Sequence, residues 1–132
     1  MIRKTSSPPR PTDAELTLLN VLWRLGKATV RDVHEALPSS SRGGYTTVLK
    51  MLQIMHEKGL VERDDSQRAH VYRPTRSREQ TQRQFLKDLA GRLFDGSPAL
   101  LAMQALGGAD ATSPEELERI RAFLDQLEGR ES

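Results

Sequence analysis

The sequence contains no cysteine. Disulfides, thiolate catalysis and cysteine-ligated zinc are therefore excluded. Aromatic residues are scarce, and the single tryptophan, Trp23, reads as a core anchor rather than a ligand platform. No apolar run approaches the ~20 residues that cross a bilayer. The opening MIRKTSSPPRPT is basic but has no apolar core, so it does not read as a secretory signal. These absences predict a soluble, intracellular protein, with the cytoplasm as its compartment. Histidines number three, His34, His56 and His70, and none has metal-ligand spacing. His34-Glu35 and His56-Glu57 each begin like a zincin motif, but no second histidine follows in the fifth place. The serines lack a nucleophile elbow, and Gly43-Gly44 lacks the spacing of a phosphate loop. Asp64-Asp65 and Glu115-Glu116 fall in a turn and at a helix start, where carboxylates solvate and cap. No enzyme, no cofactor and no metal are expected.

What remains is a chain of 132 residues, one domain or a small domain with an appendage, long enough to bury a sizeable core unaided. Its net charge of +2 is unevenly shared. Residues 1–74 hold 12 Lys/Arg against 8 Asp/Glu, and residues 75–132 hold 8 against 10. A basic front and an acidic back fit a front half that meets a polyanion, although a globular protein can show so modest an asymmetry by chance.

The chain is organised around residues 43–60, GGYTTVLKMLQIMHEKGL. Gly43-Gly44 and Gly59 bracket a helix in which Val48, Met51, Leu52 and Met55 recur at i, i+3, i+4 and i+7, one apolar stripe facing a core. The leading turn and the opposite face carry Tyr45, Thr46, Thr47, Lys50 and Gln53, with no carboxylate before Glu57. Hydroxyls, an amide and an ammonium suit phosphate oxygens and base edges, and the first turn adds free N–H groups. Taken alone, the same pattern is also that of a solvated amphipathic helix.

Residues 1–11 read as a disordered basic arm. Thr12-Asp-Ala-Glu15 is a capping box for a helix that runs to Leu25, stops at Gly26 and packs Leu16, Leu19, Leu22 and Trp23. Thr29-Val-Arg-Asp32 caps a second, two-turn helix that buries Val33 and Leu37 and ends before Pro38. Two short helices feeding a third, polar-fronted one form a helix-turn-helix. Leu60–Arg63 and His70–Arg73, separated by the turn-former cluster 64–69, read as a hairpin placed where a winged helix needs one. Its tip presents Arg68 and His70. Beyond Pro74 three helices are expected, over 75–94, 98–106 and from the capping box Ser113-Pro-Glu-Glu116 onward. Phe85, Leu89 and Leu93 line one side of the first. Leu117, Ile120, Leu124 and Leu127 form a narrow seam on the last, spaced like a coiled-coil contact. These helices either fold back on the front half or pair with a second chain. The fold class expected is mainly α with a small β-hairpin wing: a winged-helix domain over 12–74, then a helical dimerisation region over 75–132.

With these motifs in place the chain resembles the penicillinase-repressor family, the BlaI/MecI/CopY group of bacterial transcriptional regulators. Thr12-Asp-Ala-Glu-Leu16, Val21-Leu-Trp23, Thr29-Val-Arg-Asp-Val33, Tyr45-Thr-Thr-Val48, Lys58-Gly-Leu-Val61 and Arg68-Ala-His-Val-Tyr-Arg-Pro74 carry the resemblance, and Phe94-Asp-Gly-Ser97 extends it. It implies a homodimeric winged helix that represses genes from a palindromic operator, with contacts on Thr46, Thr47 and Lys50 flanked by Tyr45 and Arg42. Some members are released when a membrane metalloprotease-sensor cuts an Asn–Phe bond, and the matching position here is Gln104–Ala105. Copper-responsive members carry a cysteine metal motif, which this chain lacks. Two function classes follow: a DNA-binding repressor, or a winged-helix module that docks a protein on the face of residues 45–58. Threonines and lysine are poor hot-spot residues for protein partners, which favours DNA.

Overall fold

The structure, a computed structural model, describes residues 10–38, 43–108 and 112–131. Arg42 and most of the expected basic arm lie outside the described residues. Of that arm, Arg10 and Pro11 are described, with Arg10 exposed and Pro11 buried. It directly precedes the N-cap Thr12, where the chain must be fixed for the cap to form.

Helix α1 spans Asp13–Leu25. Thr12 Oγ1 accepts from the Glu15 amide at 3.2 Å, and Glu15 Oε1 accepts from the Thr12 amide at 2.9 Å, so the predicted capping box is complete. Gly26, at φ +87°, ends the helix in a conformation that side-chain-bearing residues rarely adopt. Strand β1, Ala28–Thr29, follows, and Thr29 with Asp32 makes a second reciprocal cap on α2, Val30–Ala36. Helix α3 runs Tyr45–Lys58, then β2, Val61–Asp64, and β3, Val71–Pro74.

The expected hairpin is one part of a three-stranded antiparallel sheet of order β1-β3-β2. Ala28 pairs with Tyr72 and Thr29 with Val71, while β2 and β3 pair from Val61↔Pro74 to Asp64↔Val71. A two-residue strand shows no alternation, so β1 leaves no periodic trace in the sequence. The core lies between α1, α2, α3 and this sheet, built on Leu18, Leu19, Leu22, Val33, Leu52 and Tyr72 among others. On α1 the buried apolar side chains are Leu18, Leu19, Val21 and Leu22, with Leu16 and Trp23 only half-buried. The apolar spacing marks the stripe correctly but places its centre one residue off.

Glu15 does more than cap. It is 6% exposed, and its Oε1 takes Lys58 Nζ at 2.7 Å, joining the first turn of α1 to the last residue of α3. The remaining helices are α4, Arg78–Leu93, α5, Pro98–Gly107, and α6, Pro114–Glu131. Ser77 with Gln80 and Ser113 with Glu116 form reciprocal caps, and Ser97 accepts from the Leu100 amide. Contacts divide the chain into two compact units between Phe85 and Leu86, inside α4. Among the described residues, no helix is long and apolar enough to cross a membrane.

Burial pushes the Glu15 carboxyl up, but the bonds from Lys58 and Thr12 and the Lys58 charge outweigh it, so the net shift is below the ordinary 4.5. The associated stability is present above that ordinary value and is lost as pH falls through the lower folded value. Glu15→Gln should therefore cost about 1–3 kcal/mol at neutral pH. Urea unfolding of both proteins across a pH series should show the gap closing in acid; a pH-independent gap contradicts the ion pair.

Candidate nucleic-acid interface

The site begins with how α3 lies on the core. Val48, Leu52 and Met55 are fully buried, with Leu49 and Met51 half-buried against the same cluster. Thr46, Thr47, Lys50 and Gln53 are thereby turned out, together with Tyr45 at the N-terminal end. Fully burying each large apolar side chain is worth roughly 1.5–3 kcal/mol. Rotation by one residue, about 100°, would exchange apolar groups for polar ones across the whole contact. The polar face is thus fixed outward by the apolar one. Ile54, 41% exposed, interrupts it and went unremarked in the sequence pattern.

Both ends of α3 are held. At the start, Gly44 is the N-cap and supplies no side-chain bond; its carbonyl accepts from the Thr47 and Val48 amides at 3.0 and 3.2 Å. The amides of Tyr45 and Thr46 precede these bonds, in the position where helices receive anions. His34 of α2 braces this end: its Nε2 lies 3.0 Å from the Gly43 carbonyl oxygen, and its ring meets the Tyr45 ring edge-on at 6.0 Å. At the other end Gly59, at φ +85°, donates to His56 while the Leu60 amide donates to Met55, a Schellman closure.

The wing tip uses its acids internally. Asp64 accepts from the Ser66 amide at 2.9 Å, and the hydroxyl and amide of Ser66 hold the Asp64 carboxyl below the usual carboxylate range. Asp65 takes Arg63 Nε at 2.8 Å and lies 3.6 Å from His70 Nε2. The buried Tyr72 hydroxyl, with Asp65, holds the Arg63 guanidinium above its ordinary value. Glu62 and Arg73 pair across the strands at 2.9 Å. Arg68 and His70 are exposed in the loop between β2 and β3.

The structure thus brings Tyr45, Thr46, Thr47, Lys50 and Gln53 together on α3 and puts Arg68 and His70 on the wing, with Arg42 outside the described residues. Leu89, Leu93, Leu117 and Leu124 are exposed, while Phe85, Ile120 and Leu127 are half-buried. Gln104 and Ala105 are exposed within α5. His34 is the positioning residue that sequence reasoning missed, since nothing in its spacing marks a partner nine residues on. His34→Ala should accelerate amide hydrogen exchange at Thr47 and Val48 while leaving Leu52 and Met55 unchanged. Uniform acceleration along α3 contradicts a local brace.

The model of the penicillinase repressor family matches residues 11–126. Transcriptional regulator BlaI of Mycobacterium tuberculosis (strain H37Rv) is 31% identical over 117 residues, which span 88% of this chain and 83% of that protein. Among solved structures, monomeric BlaI of Bacillus licheniformis in complex with the blaP half-operator is 26% identical, with a TM-score of 0.48 over 55% of this chain and 89% of that one. A CopR repressor structure is 29% identical, with a TM-score of 0.43 over 49% of this chain and 94% of that one. With the family match running from the cap of α1 deep into α6, the chain belongs to the penicillinase repressor family and is a DNA-binding transcriptional repressor, not an enzyme.

Proposed function

We propose that this repressor works as a homodimer on a palindromic operator in the cytoplasm, each copy laying the N-terminal turns of α3 in a major groove. Thr46, Thr47 and Gln53 meet base edges, Lys50 and Tyr45 hold the flanking backbone, and Arg42 lies just ahead of the helix. The wing sets Arg68, with His70 beside it, against a neighbouring phosphate. One observation carries the reading: the buried stripe of α3 leaves hydroxyl, amide and ammonium groups turned out behind an N-terminus without a side-chain cap, with no carboxylate before Glu57. A dry protein interface is instead built on aromatic and arginine anchors, and α3 offers only Tyr45 of that kind.

The homodimer is supported by what the second unit leaves uncovered. Leu93 is 71% exposed and Leu124 52%, and Leu86, Met103 and Phe123 are each more than half exposed. Isolated apolar residues on a surface need no explanation, but this many on short helices favours burial against another copy. Joining two heads multiplies affinity through effective concentration. Release by a membrane metalloprotease-sensor is the partner the same reading admits. Cutting Gln104–Ala105 then requires α5 to open first, because that bond is helical.

Titration of promoter DNA over a salt series tests the interface. The log–log slope should be about −0.9 per neutralised phosphate, and Lys50→Ala should flatten it by about one. Thr47→Ala should cost on the order of 1 kcal/mol of discrimination between operator and random duplex. Unchanged behaviour of both variants removes α3 from recognition. Leu124→Asp should sediment as a folded monomer with weakened operator binding, and a persisting dimer removes α6 from the junction.

A further inference from the structure

Helix α3 turns one exposed aliphatic side chain toward the face proposed to meet DNA. Ile54 is 41% exposed. Val48, Leu52 and Met55 define the inner side of the helix. At about 100° per residue, Ile54 lies well round from them, on one ridge with Lys50, four residues earlier, and Thr47, seven earlier. All three are exposed. Ile54 is also the last exposed residue before Glu57, the first carboxylate of α3.

Helix formation does not favour isoleucine at an exposed site, since a β-branched residue is a weaker helix former than lysine, arginine or glutamine. Nor does Ile54 belong to an apolar patch on the helix. Its surface neighbours three and four residues away are Lys50, Met51, Glu57 and Lys58. Met51, the one apolar member, is packed against the core. Tyr45 is nine residues away, about two and a half turns, and so lies on the opposite side of α3. Among the described residues of the first unit, the remaining exposed large apolar side chain is Leu25, on α1. A protein-docking site is built on clustered anchors that exclude water, which a lone isoleucine among charged groups does not supply. An isolated exposed aliphatic needs no partner of its own; here its position supplies one.

The major groove presents hydrogen-bonding edges and a single kind of apolar group, the C5-methyl of thymine. The Cα–Cβ bond of a helical residue tilts toward the helix N-terminus. Ile54 therefore leans back toward Lys50 and the turns that enter the groove. From Thr47 to Ile54 the helix advances about 10 Å, roughly three base-pair rises. We propose that Ile54 is a specificity-determining residue that packs on the C5-methyl of a thymine, within about three base pairs of the pair that Thr47 meets. The inference rests on the docking of α3 proposed above and adds to its hydrogen bonds the apolar contact that the groove can return.

Uracil in place of thymine removes that methyl and keeps the base pair, so the contact can be erased from the DNA side. The experiment takes the promoter duplex, replaces its thymines with uracil one position at a time, and measures the affinity of wild type, Ile54→Ala and Lys50→Ala. Alanine is the stronger helix former at this exposed site, so Ile54→Ala should unfold no earlier than wild type. Wild type should lose about three- to fivefold at one thymine position of a half-site, the loss that goes with one buried methyl. Ile54→Ala should bind the unmodified duplex about three- to tenfold more weakly and lose nothing further at that position, because the two changes delete one contact. An Ile54→Ala loss that multiplies with every uracil substitution overturns the inference, and so does a variant that binds every duplex as wild type does. A salt series on Lys50→Ala separates the two ways of failing. A slope flattened by about one, with no thymine coupled to Ile54, overturns the methyl contact and leaves α3 in the groove. A wild-type slope with no coupled thymine overturns the docking of α3 as well.

Discussion

The rotation of α3 about its own axis is the constraint on which the rest of this molecule depends. Val48, Leu52 and Met55 lock that rotation from inside the core. The polar residues between them have no freedom over where they face. The sheet and the two preceding helices then act as a mount: α1 and α2 supply the apolar floor, and Tyr72 on the central strand fills it from below. A polar face mounted this way is held in place by packing, which over-determines its direction.

Rotation alone does not fix a helix, and the two ends of α3 are secured by different means. The C-terminal end uses charge and backbone together: Lys58 reaches the nearly buried Glu15, and Gly59 closes the last turn in a left-handed conformation. The N-terminal end relies on weaker contacts, a bond between His34 and the Gly43 carbonyl and an edge-on ring contact to Tyr45. The firm end is the one remote from DNA in the proposed docking. The lightly held end is the one offered to the groove, which leaves room for local adjustment on binding.

How much of this could be read in the sequence follows from how local each signal is. Reciprocal caps at Thr12, Thr29 and Ser113 are written within four residues, and each is present in the structure. Glycines at 26 and 59 announce their helix ends in the same way. The polar face of α3 was legible because its apolar complement has a period. By contrast, β1 pairs with a strand more than forty residues away and is too short to alternate. The partners of Glu15 and Trp23, Lys58 and Arg76, stand 43 and 53 residues distant. No spacing rule reaches across such gaps, and the half-buried state of Trp23 becomes intelligible only once its indole bond is seen. The second unit is the least legible part, since an apolar seam does not name what covers it.

In the proposed docking, the outward face of α3 is the part of the repressor that touches bases. Photo-crosslinking tests this most directly, with promoter duplex carrying iodouracil in place of thymine and the attached peptide identified by mass spectrometry. Attachment is expected within residues 45–53. Attachment confined to α1, α2 or α6, with that stretch unmodified in a fully bound complex, would contradict it.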